Sequence, residues 1–143
     1  MTEPEMTSEV VDLIHTLCGL CQKRNQLMYK QLKINEREFD FFMHVSEFNG
    51  LSIKEIAALI DVSQSNVSRL VDKLVARGLI ERIHQDTDHR IATVSYSIRG
   101  KTKYDYAFEN KCIGNEAIKS ILEESNYQQF KDLLQEIVEN YEI

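Results

Sequence analysis

One predicted helix carries polar side chains of the kinds that bind nucleic acid. Apolar residues recur at helical spacing between positions 64 and 77 and mark the side of this helix that would be buried. The other side offers amide, hydroxyl and cationic groups, which reach base edges and phosphates in a DNA major groove. These residues are Gln64, Ser65, Ser68, Arg69 and Lys73, with Asn66 near the edge of the stripe. A solvated amphipathic helix would show the same pattern, so both interpretations stand at this point.

A shorter predicted helix directly precedes the polar one. Ser52 is a good N-cap, and Glu55 three residues later completes the pattern of a capping box. Two residues, Asp61 and Val62, separate this helix from the next, which begins after the N-cap Ser63. Two helices joined by a short turn, with a polar second helix, form a helix-turn-helix arrangement.

A β-hairpin is predicted directly after this helix pair. Gly78 ends the second helix, because glycine readily adopts the left-handed conformation of a C-cap. Leu79–His84 alternates apolar and polar residues, and Ile91–Tyr96 is rich in β-branched residues. The polar stretch Gln85–Arg90 between them predicts a turn. A hairpin that follows such a helix is a wing, which favours a DNA-binding face over a merely solvated one.

The stretch from residue 51 to residue 100 resembles the MarR family of bacterial transcription regulators. The matching sequence is SQSNVSRLVDKLVARGLIER, which would be the recognition helix and the first wing strand. The family's acidic-x-arginine wing tip is matched by residues 88–90, DHR. Its exit pattern V-x-L-T-x-x-G is matched by residues 94–100, where Tyr96 replaces leucine and Ser97 replaces threonine.

The resemblance implies a fold that is mainly α-helical with a small β-hairpin wing. The 143 residues are then expected to form a single domain. Its winged helix-turn-helix core would span about residues 35–100, with dimerisation helices at about 8–32 and 101–142. The implied function is that of a sequence-specific DNA-binding transcription regulator, a homodimeric repressor released by a small ligand or by thiol oxidation.

The resemblance also implies which residues contact DNA and what kind of DNA a homodimer binds. The target would be double-stranded DNA with a pseudo-palindromic operator sequence. The DNA-binding residues would be Ser63, Gln64, Ser65, Asn66, Ser68, Arg69, Lys73, Asp88, His89 and Arg90. The alternative is a winged-helix module that binds protein and no DNA. Three basic residues on one surface, Arg69, Lys73 and Arg90, argue against this alternative.

Apolar stripes mark the helices on either side of this core. The first predicted helix runs from Ser8 to about Leu32, and the last carries a stripe from Tyr127 to Tyr141. In the family these helices build the dimer, although a stripe that packs within the chain is the alternative for the first helix. Between this helix and the helix-turn-helix, Ile34–Phe48 is predicted as a core helix capped by Asn35.

The helix after the wing begins with an unusual cluster of cations. Ser97 is its predicted cap, and Arg99, Lys101 and Lys103 lie in its first turn. Cations at a helix N-terminus oppose the helix dipole. The interpretation from sequence is that nearby phosphates account for them. Ser125 is predicted to begin another capping box at the start of the last helix.

Charge and composition agree with a DNA-binding module on acidic flanks. The net charge is −6, yet residues 52–103 contain nine Lys or Arg and six Asp or Glu, which is +3. The remaining residues contain 8 basic and 17 acidic side chains, which is −9. A single proline and 5 glycines favour a helical protein. No apolar run approaches the ~20 residues needed to cross a membrane, so a cytoplasmic protein without membrane contact is expected.

Cys18 and Cys21 form a C-x-x-C pattern with His15 three residues earlier. Zinc would need a third and a fourth ligand, and His15 is the one obvious candidate nearby. A thioredoxin-type pair would need a helix N-terminus, whereas this pair lies mid-helix. The resemblance adds peroxide sensing, because some relatives use a cysteine in the first helix. The remaining interpretation is two small apolar side chains at an interface. Cys112 is predicted to lie in the core.

The motifs of common enzymes are missing from the sequence. There is no Gly-rich phosphate loop, G-x-S-x-G, H-E-x-x-H or metal-spaced acidic cluster, so no enzyme, cofactor or metal site is predicted. The resemblance implies a small aromatic effector that binds between the dimerisation helices and the DNA-binding lobe. Tyr29 and His44 are the candidates to line such a pocket.

Overall fold

Capping side chains begin the helices where the sequence predicts. In the computed structural model, Asn35, Ser52 and Ser63 each accept a hydrogen bond from the backbone N–H three residues later. Ser52 and Glu55 also form the complete capping box. The satisfied N–H groups explain these helix starts.

The structure describes residues 5–85 and 88–142; of residues 85 and 88–90 it describes only the backbone.

Helices dominate the described residues, with one β-hairpin among them. The elements in chain order are α1 (Glu9–Leu32), α2 (Glu36–Met43), a 3-10 helix (Val45–Phe48), α3 (Ile53–Ile60), α4 (Gln64–Ala76), β1 (Ile80–Gln85), β2 (Asp88–Tyr96) and α5 (Ile98–Asn140). The chain divides into two compact units, Met1–Lys101 and Thr102–Ile143. The predicted mainly α-helical winged helix-turn-helix with a small hairpin is confirmed. No described helix has both the length and the apolar character needed to cross a membrane.

The predicted helix Ile34–Phe48 is wrong in its second half. The α-helix ends at Met43, and the chain continues as a 3-10 helix from Val45 to Phe48. In a 3-10 helix, side chains three residues apart point the same way. Val45 and Phe48 are both buried as a result.

The core of the first unit lies beneath the helix-turn-helix. Ile56 of α3 is fully buried, as are Val67, Val71 and Leu74 of α4. The hydroxyl of Tyr96, at the end of β2, donates to the carbonyl of Phe42 at 2.5 Å, and their rings meet edge to face. The wing is therefore joined to α2 through an aromatic side chain as well as to α4 through the backbone.

The wing is longer than the sequence predicts. β1 and β2 pair antiparallel, with Ile80 opposite Tyr96 and His84 opposite Ala92. The register then shifts, so that Gln85 lies opposite Asp88. The predicted turn Gln85–Arg90 is therefore wrong at its ends, because Gln85 belongs to β1 and residues 88–90 belong to β2. An irregularity of this kind lets a strand continue although some of its residues are not regularly paired.

The first helix leaves its apolar stripe uncovered within the chain. Val10 is 65% exposed and Leu13 is 70% exposed, whereas the buried residues of α1 are Met28 and Leu32 near its end. The alternative of a stripe that packs within the first unit does not match these exposures. Lys33 ends the helix in the left-handed conformation, and its N–H donates to the carbonyl of Tyr29.

The second unit is formed by the greater part of α5. Ser97 caps this helix as predicted, since its Oγ accepts from the N–H of Gly100 at 2.9 Å. The helix geometry breaks at Glu123, with φ 61° and ψ 161°, rather than at Ser125. The prediction that Cys112 lies in the core is wrong, because its side chain is exposed on α5.

Candidate nucleic-acid interface

The structure places the polar face of α4 on the surface. Gln64, Ser65, Arg69 and Lys73 are exposed, and Asn66 and Ser68 are partly exposed. The opposite face is anchored, because its apolar residues are fully buried. A helix with one side fixed in a core presents the other side in a constant orientation, which is the requirement for reading base edges.

Short-range hydrogen bonds orient part of this face. The Nη1 atom of Arg69 donates to Oδ1 of Asn66 at 3.1 Å, so the guanidinium leans toward the start of the helix. Ser63 accepts from the N–H of Asn66 at 3.2 Å, and its Oγ lies 3.3 Å from Oγ of Ser65. Ser63 is thus occupied as the cap. Gln64 makes no side-chain hydrogen bond among the described residues and remains available to a ligand.

The N-terminal end of α4 favours an anionic ligand. Its first turn, all of it described, contains no acidic residue. The unpaired N–H groups of a helix N-terminus carry partial positive charge. A phosphate that approached Gln64 and Ser65 would therefore meet favourable electrostatics.

A Schellman motif ends α4. The N–H of Leu79 donates to the carbonyl of Leu74 at 3.0 Å, and the N–H of Gly78 donates to that of Val75 at 2.9 Å. Gly78 has φ +70°, which the motif requires and which glycine adopts without strain. Leu74 and Leu79 are fully buried, which supplies the apolar contact that accompanies the motif.

An ion pair that the sequence does not predict joins α4 to the wing. The guanidinium of Arg82 in β1 donates to Oδ1 of Asp72 in α4. Opposite charges ten residues apart carry no signal in a sequence, since the contact depends on how the strand leaves the helix. Because both side chains are partly exposed, the pair contributes little to stability, about 0–1 kcal/mol, and acts mainly on orientation.

The cation Arg99 has a partner inside the protein. Its Nη1 donates to the carbonyl of Arg77, at the C-terminal end of α4. The negative end of a neighbouring helix dipole therefore offers a second explanation for the charge of Arg99, and the phosphate interpretation stays a prediction. Ser97 makes a second such contact, from its Oγ to the carbonyl of Gly78 at 2.6 Å.

The predicted wing-tip residues Asp88, His89 and Arg90 lie at the start of β2. Their side chains are outside what the structure describes. The backbone nonetheless places all three beside the end of β1, at the tip of the hairpin.

Tyr29 and His44, the predicted effector-pocket residues, have different surroundings. His44 lines a groove of about 400 Å³ whose other lining residues are Arg37, Asp40, Phe41, Glu47, Phe48, Leu59, Ile60, Val62 and Leu70. Tyr29 does not line this groove; its ring meets that of Phe39 edge to face at 5.1 Å. The pKa of the Tyr29 hydroxyl is raised above its ordinary value, mainly because the side chain is partly buried. The hydroxyl is therefore neutral and can donate.

The two cysteines of the C-x-x-C pattern are both exposed on α1. The predicted burial at an interface is therefore absent within one chain. No group of three or more metal-ligating side chains occurs among the described residues.

These features define a winged helix-turn-helix protein with an exposed polar recognition helix. Residues 32–91 match the sequence model described as MarR family. The transcriptional regulator BilQ of Clostridium symbiosum, described as HTH-type, is 27% identical over 97 residues, which are 68% of this chain and 67% of that relative.

Solved structures of the same class share the fold. A MarR protein from Peptoclostridium difficile superposes with a TM-score of 0.75 at 19% identity, over 98% of this chain and 92% of that one. The S. aureus MepR–DNA complex superposes with a TM-score of 0.69 at 19% identity, over 90% and 97%. These structures show that the chain has the same winged-helix fold, and the sequence match shows that residues 32–91 are similar to the MarR family.

Proposed function

We propose that the protein is a homodimeric repressor that binds a pseudo-palindromic operator through α4 and the wing. The observation that carries this proposal is the exposed polar face of α4, anchored by a fully buried apolar face. In a dimer, two such helices would enter major grooves about one helical turn apart, ~34 Å. The MepR structure is described as a DNA complex, which supports the same use of the shared fold.

The proposed contacts divide by position along the site. Gln64, Ser65 and Ser68 occupy the first two turns of α4, where recognition helices reach bases. Arg69 would reach guanine or phosphate, and Lys73, further along, would meet phosphate. At the wing, Arg90 would reach the backbone or the minor groove, with Asp88 holding its guanidinium and His89 between them.

The experiment for the function is selection of bound duplexes from a random pool, followed by titration of the selected site at several salt concentrations. Phosphate neutralisation predicts a steep fall of affinity with salt. A winged-helix module that binds only protein would select no duplex, and that outcome would refute the proposal.

Gln64→Ala is expected to relax base preference at one operator position in each half-site. Its amide is free among the described residues, and the loss of one base contact costs about 1–3 kcal/mol at that position. Repeating the duplex selection with the variant measures the change. Gln128→Ala, the same substitution on α5, is the matched control and should leave the selected sequence unchanged. An unaltered preference in Gln64→Ala would show that this residue does not read bases.

The release signal is proposed to be a small aromatic ligand or oxidation of the α1 cysteines. Both Cys18 and Cys21 are exposed in the single chain, so an oxidant has access to them unless the dimer covers α1. Tyr29 remains a candidate donor to a ligand carboxylate, and His44 lies in the groove beside α4.

Peroxide is expected to weaken operator binding if these thiols act as the sensor. Dithiothreitol should restore binding after disulfide or sulfenic acid formation. The double variant Cys18→Ser/Cys21→Ser should bind the operator normally and ignore peroxide, whereas Cys112→Ser, the control, should respond as the wild type does. Unchanged binding by the oxidised wild type would leave a small ligand as the proposed signal.

A further inference from the structure

The C-terminal end of α4 is held by the first turn of α5. The last carbonyl groups of a helix lack partners within the helix. Just beyond α4, the carbonyl of Arg77 accepts from the guanidinium of Arg99, and the carbonyl of Gly78 accepts from the hydroxyl of Ser97. Both donors belong to the start of α5, so two side chains tie one helix end to another helix.

The backbones also approach each other closely at this junction. A Cβ atom at Gly100 would lie 1.7 Å from the carbonyl oxygen of Leu79, so glycine is required there. Leu79 itself is fully buried in the motif that ends α4. This contact leaves the end of α4 little freedom to shift along the first turn of α5. The exposed side chain of Arg99 lies beside the contact, where it donates to the carbonyl of Arg77.

Arg99 has no favourable role within its own helix. A cation in the first turn of α5 is repelled by the positive end of that helix dipole. The same cation is attracted by the negative end of α4, where its hydrogen bond lies. The interaction across the junction therefore explains why an arginine occupies this position.

We propose that Arg99 is a positioning residue for DNA readout: its guanidinium fixes the end of α4 on α5 and so sets the angle at which α4 presents Gln64 and Arg69. This inference rests on the proposed function, since it concerns the same helix. It assigns Arg99 no contact with DNA, which separates it from the phosphate-binding residues.

Arg99→Met tests this role, because methionine removes the charge and the donor but retains an unbranched stem. We expect the affinity for the selected operator to fall about threefold to tenfold, with an unchanged salt slope. Arg99→Lys keeps a cationic donor and should recover most of the affinity. Lys111→Met, which removes the same charge elsewhere on α5, should bind as the wild type does.

Two measurements without DNA accompany the titrations. Amide hydrogen exchange in residues 74–79 should be faster in Arg99→Met, while the melting temperature should stay within about 2 °C of the wild type. A salt slope lowered by about one unit would instead identify a phosphate contact and overturn the proposal. Wild-type affinity in Arg99→Met would also overturn the proposal. A loss of affinity that Arg99→Lys fails to recover, or that accompanies a large fall in melting temperature, would overturn it as well. If the wild type binds no duplex, the proposed function fails. Faster exchange in Arg99→Met with unchanged operator affinity would show that Arg99 holds the end of α4 but has no role in DNA readout.

Discussion

Replacement of Gly100 by alanine is expected to lower the free energy of unfolding by about 3 kcal/mol or more. The added Cβ would lie 1.7 Å from the carbonyl oxygen and 2.7 Å from the carbonyl carbon of Leu79. Neither atom belongs to a flexible side chain, so relief of the overlap requires that α5 move away from the end of α4. The same movement would separate Ser97 from the carbonyl of Gly78. Urea unfolding followed by circular dichroism measures the loss.

Gly19→Ala is the matched control for this substitution. Gly19 lies inside α1, and a Cβ built there has no atom within 4 Å. Alanine in an unobstructed helix interior should therefore stabilise the protein by about 0.5–1 kcal/mol. Equal urea midpoints for Gly100→Ala and the wild type would show that the junction between α4 and α5 is looser than the structure indicates.

Two glutamates on the apolar stripe of α1 are expected to convert the proposed homodimer to monomers. Leu13 is 70% exposed and Leu17 is 40% exposed in the single chain. A stable interface buries more than about 1,000 Å², and the uncovered stripe is where α1 would contribute to it. Leu13→Glu/Leu17→Glu would bury four charges per dimer without partners. We therefore expect dimerisation to weaken about 100-fold or more, as measured by sedimentation at micromolar concentration.

Lys23→Glu/Gln26→Glu is the control, because it adds two glutamates to the opposite side of the same helix. It should sediment as the wild type does, and both double variants should retain the helical content of the folded chain. Operator affinity should fall with the dimer in the first variant, since each monomer reads one half-site. If the wild type itself sediments as a monomer, the homodimer proposal is wrong.

Local features of this protein could be predicted from its sequence with good accuracy. Asn35, Ser52, Ser63 and Ser97 cap helices as predicted, because a cap depends on hydrogen bonds between residues three positions apart. The polar face of α4 was also predicted, since helical periodicity alone decides which residues share a side. The wing is also predicted from local pattern, since alternating and β-branched residues indicate strands, although its predicted ends differ from the structure where the register shifts.

Contacts across elements were decided by the tertiary structure alone. The pairs Arg82–Asp72 and Arg99–Arg77 join residues 10 and 22 positions apart, and each depends on the path that the chain takes after α4. Periodicity reports that one side of α1 is apolar, but it does not report what covers that side. The fold leaves that stripe exposed, whereas it buries Val45 and Phe48 by changing the helix type. The sequence therefore determined which surfaces this protein has. Tertiary packing determined how the recognition helix is held, because only the folded chain brings donors from the start of α5 to the carbonyls of Arg77 and Gly78.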